Sequence, residues 1–147
     1  MQPAYASSAI AALACLWIGL ILGVSFLATL AKFKAPTLTR PVALDVGRHT
    51  FLWLARAEWA VAVCIALALL ASGFPPLATA AFAGLAVISA AAAFWIAPQL
   101  YARADAIIAG HTPAPSSIHG AAVLVEVLKL ALLLVMAVAS FRALIAT

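Results

Sequence analysis

Four charged residues stand inside long apolar runs, and they carry the sharpest chemical signal in the chain. Arg56 and Glu58 lie about one to two helical turns into one run, and Glu126 and Lys129 about two to three turns into another. Ionisable groups at membrane depth are costly and face a bundle interior or a water-filled cavity. Their spacing follows helix faces. Asp45, His49 and Arg56 stand at i, i+4 and i+11; His119 and Glu126 are seven apart, with Lys129 three beyond. These stripes allow Arg56 to pair with Glu126, and Glu58 with Lys129 or Arg103. One reading is an ion-pair set that fixes helix register, with Lys and Arg snorkelling to the headgroups. The other is a polar cavity open to the cytoplasm that binds a ligand headgroup or relays protons. Residues two apart diverge on a helix, so Arg56 and Glu58 do not form a single binding unit.

The histidines offer a second chemistry. His49 and His119 each stand near the start of an apolar helix on the same membrane side, and imidazoles from facing helices can ligate haem iron. His111 sits in a Gly-His-Thr-Pro loop. No HxxxH spacing points to a dedicated metal site. Gly19 and Gly23 form a GxxxG pattern, which reads as helix packing within the chain or as a dimer face; Ala80 and Gly84 offer a similar surface. Cys15 and Cys64 lie in apolar runs and read as small buried packing residues. Trp53, Trp95 and Tyr101 fit an aromatic belt, with Trp17 and Trp59 near interfaces or on helix faces; a quinone or carotenoid stacking site is the rival reading. Lys32-Phe33-Lys34-Ala35-Pro36 reads as an anchor on anionic lipid heads.

The elements that must hold these groups follow from composition. The chain has 147 residues, 68% apolar and only 8% charged. A soluble domain carries about 45–50% apolar and about 25% charged residues. Together with a mean hydropathy of +1.22, these figures exclude a disordered chain and an ordinary soluble enzyme. The net charge of +4 suggests nucleic acid, but eight basic residues make no continuous patch, so no nucleic-acid partner is expected.

A membrane span needs about 20 apolar residues. The uncharged runs predict spans at about 9–30, 51–71, 77–97 and 118–141, with a turn at Ser72-Gly73-Phe74-Pro75-Pro76 that closes spans two and three into a tight hairpin. Ser116 and Ser117 are candidate N-caps for span four. The first run lacks a basic start and exceeds a signal-peptide core, and Ala12-Leu13-Ala14-Cys15 is a poor lipoprotein box, so span one is expected to be a mature helix. Lys32, Lys34, Arg40 and Arg48 fall between spans one and two, and Arg103 between three and four. The positive-inside rule then puts both loops in the cytoplasm and both termini on the non-cytoplasmic side.

Gly23-Val24-Ser25-Phe26, Gly47-Arg48-His49-Thr50-Phe51, Pro98-Gln99-Leu100-Tyr101-Ala102-Arg103-Ala104-Asp105 and His119 before an apolar last span together resemble the small membrane proteins of the transmembrane protein 205-like group. That group is in turn similar to copper-resistance-D-like membrane domains. The resemblance implies a four-helix bundle over most of the chain. Some relatives in the wider grouping bind haem b through histidines or are linked to copper handling, roles that only His49 and His119 could carry here. The Met- and His-rich stretches of copper carriers are missing.

No P-loop, nucleophile elbow, HExxH or CxxC occurs, so no catalytic residues are assigned. The expectation is an all-α, polytopic protein of a bacterial-type inner membrane, a single four-helix domain over residues 1–147. It acts without catalysis, as an accessory subunit of a larger membrane complex or homo-oligomer, or as a binder of a small lipid-like ligand. Its working surface is His49, Arg56, Glu58, Arg103, Glu126 and Lys129. The alternatives are a haem b or quinone redox protein using His49 and His119, and a small oligomeric transporter.

Overall fold

In the bilayer a chain must satisfy its backbone polar groups internally, and the helix does so within one segment. The computed structural model describes residues 2–145. Four helices there are long and apolar enough to cross a membrane: α1 (2–34), α2 (Arg40–Ala71), α3 (Pro76–Ile108) and α4 (Ile118–Ile145). No strand occurs among the described residues.

The helices outrun the apolar spans expected for them. α2 begins at Arg40 with Pro41 in its first turn, a position where a missing N–H costs nothing. α3 passes through Pro98 to Ile108. Pro98 removes a donor and crowds the preceding turn; the five residues before Ala97 widen into a π-helical turn, Ala92–Ile96, that accommodates it. Past Ile108, Gly110 adopts φ 84° and the His111 N–H reaches back to the Ala106 carbonyl at 2.9 Å, closing the helix. Ser116 caps α4, its Oγ accepting from the Ile118 N–H at 3.2 Å.

α1 contains a second and longer π-helical segment, Ile21–Ala28, with no proline in it. Thr29 Oγ1 donates to the Val24 carbonyl at 3.2 Å and occupies an acceptor inside the widened turn.

The core is a seam of residues three and four apart. α1 contributes Ile10, Ala14, Trp17 and Ile21; α2 contributes Val61, Ala62, Ile65 and Leu69; α3 contributes Ala78, Ala81 and Leu85; α4 contributes Leu133, Met136 and Ala137. This spacing is that of helices crossing at a shallow angle. Since lipid is as apolar as leucine, packing rather than the hydrophobic effect holds such helices together, and small residues allow close approach. Gly84 shows this directly. A Cβ there would stand 3.4 Å from Leu132 Cδ1, so α3 lies tight on α4.

α1 packs on α4 and α2, while α3 packs chiefly on α4. The turn after α2 is tight, with Gly73 and Phe74 both at positive φ. The expected close hairpin of spans two and three nonetheless does not form along its length. α2 and α3 meet mainly at the far end, where residues 97–108 lie against α2.

Large apolar side chains cover the outside, Leu27, Leu67, Val87 and Phe94 among them. A surface of that kind suits hydrocarbon and not water. Cys15 and Cys64 belong to it. Both are free and exposed, which corrects their reading as buried packing residues.

Candidate functional site

Lys129 is 2% exposed in the middle of α4. It lies about 16 Å along the helix from Ile118 and about 24 Å from Ile145, at 1.5 Å per residue. Its Nζ is 2.7 Å from Glu58 Oε1 and 2.9 Å from Glu58 Oε2. It is also 2.9 Å from Glu126 Oε1, one turn earlier on α4. Of the three N–H donors of the ammonium, one goes to Glu58 Oε2 and one to Glu126 Oε1, and Glu58 Oε1 adds a close ionic contact.

Two further donors complete the set. Trp17 Nε1 donates to Glu58 Oε1 at 2.8 Å from α1, and Ser25 Oγ donates to Glu126 Oε2 at 3.3 Å. All four carboxylate oxygens therefore have a partner. Three helices are tied at one depth by hydrogen bonds to charged groups, the stronger kind.

The π-helical segment explains why Ser25 reaches this network. An α-helix turns about 100° per residue, which would leave Ser25 about 80° round from Trp17. The i→i+5 turns of Ile21–Ala28 rotate less per residue, and both side chains end in the same network.

The sequence-derived candidates separate into three places. Glu58, Glu126 and Lys129 form the central network, with Glu126 and Lys129 in the half of α4 nearer Ile118. Arg56 is not with them. Its guanidinium stacks 4.6 Å over the exposed Trp53 ring on the lipid-facing side of α2. The expected Arg56–Glu126 pair is replaced by Lys129–Glu126. Arg103 and His49 lie at the end of the bundle where α2 begins and α3 closes. Arg103 Nη1 donates to the Ala114 carbonyl and braces the loop before α4. His49 Nδ1 is 3.0 Å from the Asp45 carbonyl and 3.6 Å from its carboxylate.

A second ionic network stands beside them. Arg48 pairs with Asp45 at 2.9 Å and, across to α3, with Asp105. Neighbouring Gly47 leaves room for Lys32, whose ammonium a Cβ would strike and which lies over the Phe33 and Phe51 rings.

His49 and His119 both have exposed imidazoles, and no group of three His, Cys, Asp or Glu side chains converges to hold a metal among the described residues. The described cavities lie elsewhere. A cleft of about 280 Å³ runs between α3 and α4 at the opposite end, lined by Leu77, Leu134, Val135, Val138, Ala139 and Arg142.

Gly19 and Gly23 are also not where packing within the chain would put them. A Cβ on either would meet nothing within 4 Å, so these glycines do not pack helices inside the monomer. Trp17, which the sequence left near an interface or on a helix face, lies on the core-facing side of α1. It is 1% exposed, and its indole N–H donates to Glu58 Oε1. Ser25 was visible only as part of a resemblance motif. No family model matches the chain, and no curated protein or solved structure proves similar to it.

Proposed function

We propose that the chain is a non-catalytic subunit of a bacterial-type inner membrane, a rigid four-helix scaffold locked by its central ionic network. The carrying observation is that buried Lys129 donates to both Glu58 and Glu126, whose remaining carboxylate oxygens accept from Trp17 and Ser25. These polar groups bind one another across three helices. The end bearing Lys32, Lys34, Arg40, Arg48 and Arg103 faces the cytoplasm in this reading, by the positive-inside rule. Two fragments behind the resemblance to the transmembrane protein 205-like group meet in space, through the Arg48–Asp105 pair, which supports membership of a bundle of that type.

The test is purification of the tagged protein from native membranes with quantitative mass spectrometry. The scaffold reading expects a membrane protein in constant ratio to this chain, retained in mild detergent. A chain that purifies alone, monomeric and without a constant companion, overturns it.

The cleft at the opposite end favours a second reading. Its walls are apolar and Arg142 stands at the end of α4, an arrangement suited to an acyl chain with an anionic head. Native mass spectrometry with an anionic phospholipid is expected to show a retained lipid that Arg142→Ala weakens. Equal retention by the variant removes this site.

A further inference from the structure

The central network is satisfied in hydrogen bonds but not in charge. Two carboxylates, Glu58 and Glu126, share the one ammonium of Lys129. No other cation reaches them from the surrounding helices. α1 contributes Trp17 and Ser25, neither charged. On α2, Arg56 turns outward to Trp53. α3 has no ionisable residue from Pro76 until Tyr101. Of the basic groups near the other end, Arg48 pairs with Asp45 and Asp105, Arg103 with the Ala114 carbonyl, and Lys32 lies over Phe33 and Phe51; Lys34, Arg40 and, at the opposite end, Arg142 make no ion pair with Glu58 or Glu126 among the described residues.

An uncompensated charge in hydrocarbon is strongly disfavoured. One proton added to the triad makes it neutral without moving any helix. We propose that Glu58, Glu126 and Lys129 form a proton-binding site that takes up a single proton from water, on Glu126 Oε2.

Three observations place the proton there. Glu126 is the most accessible of the three, its side chain 19% exposed against 11% for Glu58 and 2% for Lys129. It is also nearest the end of α4, about 12 Å from Ile118 along the helix. Its Oε2 makes the longest contact in the network, 3.3 Å to Ser25 Oγ, whereas the Glu58 oxygens are held at 2.7–2.9 Å. A hydroxyl both donates and accepts. On uptake an O–H bond forms at Oε2, a hydronium becomes water, and Ser25 Oγ turns from donor to acceptor. Lys129 keeps all its bonds. On α3, Ser89 Oγ is buried without a partner. The Gly84–Leu132 contact between these antiparallel helices sets Ser89 at about the level of Glu126 along the bundle.

This inference takes the network as the working part of the protein, but it is read independently of any partner. The experiment is infrared difference spectroscopy of the purified full chain in lipid nanodiscs, in light and heavy water. At neutral pH the wild type is expected to show a protonated-carboxyl C=O band that shifts down in heavy water. Glu126→Gln and Glu58→Gln each leave one carboxylate with one ammonium, so both lose the band. Lys129→Gln leaves two carboxylates without a cation and roughly doubles it. A wild type without the band at neutral pH overturns the proposal, as does a band that persists unchanged in Glu126→Gln. Should Lys129→Gln fail to fold, the two Gln variants, each keeping a neutral pair, decide alone. A band that behaves as expected in a chain that purifies without a companion keeps the proton site and removes the scaffold reading.

Discussion

The bundle holds two ionic triads of the same composition at different depths. At its centre Lys129 bridges Glu58 and Glu126; at the end where α2 begins, Arg48 bridges Asp45 and Asp105. In each, one cation serves two carboxylates on two helices. The surroundings differ. The Arg48, Asp45 and Asp105 side chains are 34%, 50% and 56% exposed, while Lys129 is 2% exposed. Water and salt can take over the outer contacts when one is broken. Nothing replaces a lost partner at mid-depth, because hydrocarbon offers neither a donor nor screening. The same chemistry therefore locks the bundle at its centre and merely trims it at its end.

The largest effect should come from Lys129→Met. It leaves two carboxylates buried without their cation, and breaking a buried pair in this way costs about 3–5 kcal/mol. Reversible denaturation in mixed micelles measures it; a loss under about 1 kcal/mol would erase the distinction between the two triads. Removing all three charges together, as Glu58→Gln, Glu126→Gln and Lys129→Met, should recover most of that loss, since the orphaned charges go with their partner. If the triple variant is no better than the single one, the penalty lies in packing and not in desolvation.

Trp17→Phe comes next. It keeps the ring in the core but leaves Glu58 Oε1 one donor short, a cost of about 1–3 kcal/mol in the same assay. Asp105→Asn sharpens the other side of the comparison. It should change stability by no more than about 1 kcal/mol, and the change should shrink as salt is added. Smallest is Arg56→Gln, which faces lipid and touches neither triad; about 0.5 kcal/mol or less is expected.

These residues also show what could be read along the chain. The turn at 72–76 was legible because Gly73 and the paired prolines act locally. The apolar span expected at about 51–71 lies within a helix that begins at Arg40. Hydropathy reports where a helix enters hydrocarbon, not where its hydrogen bonds begin, although Pro41 marked the true start. Span three was expected over about 77–97, and the π-helical turn before Pro98 carries the helix on to Ile108. Glu58 and Arg56 had to diverge, being two apart, but their order of choice was hidden. One turned inward to Lys129 and the other outward to Trp53.

Trp17 and Ser25 were hidden for a related reason. α1 is apolar on every face, so periodicity does not say which face meets the bundle. The π-helical segment then shifts the face between them, and no proline announces it.

Sequence by itself determined that this is a four-helix chain for a membrane, because length and hydropathy of a span are properties of one segment and need no neighbour. Spacing offered Glu58 to Lys129 or Arg103 and Arg56 to Glu126; tertiary structure chose Lys129 for Glu58 and turned Arg56 to Trp53. A helix that is apolar all round can rotate about its axis without changing its pattern, and its rotation is set by close contacts such as Gly84 on Leu132 and by the hydrogen bonds that Trp17, Ser25, Glu58, Glu126 and Lys129 make once the helices are together.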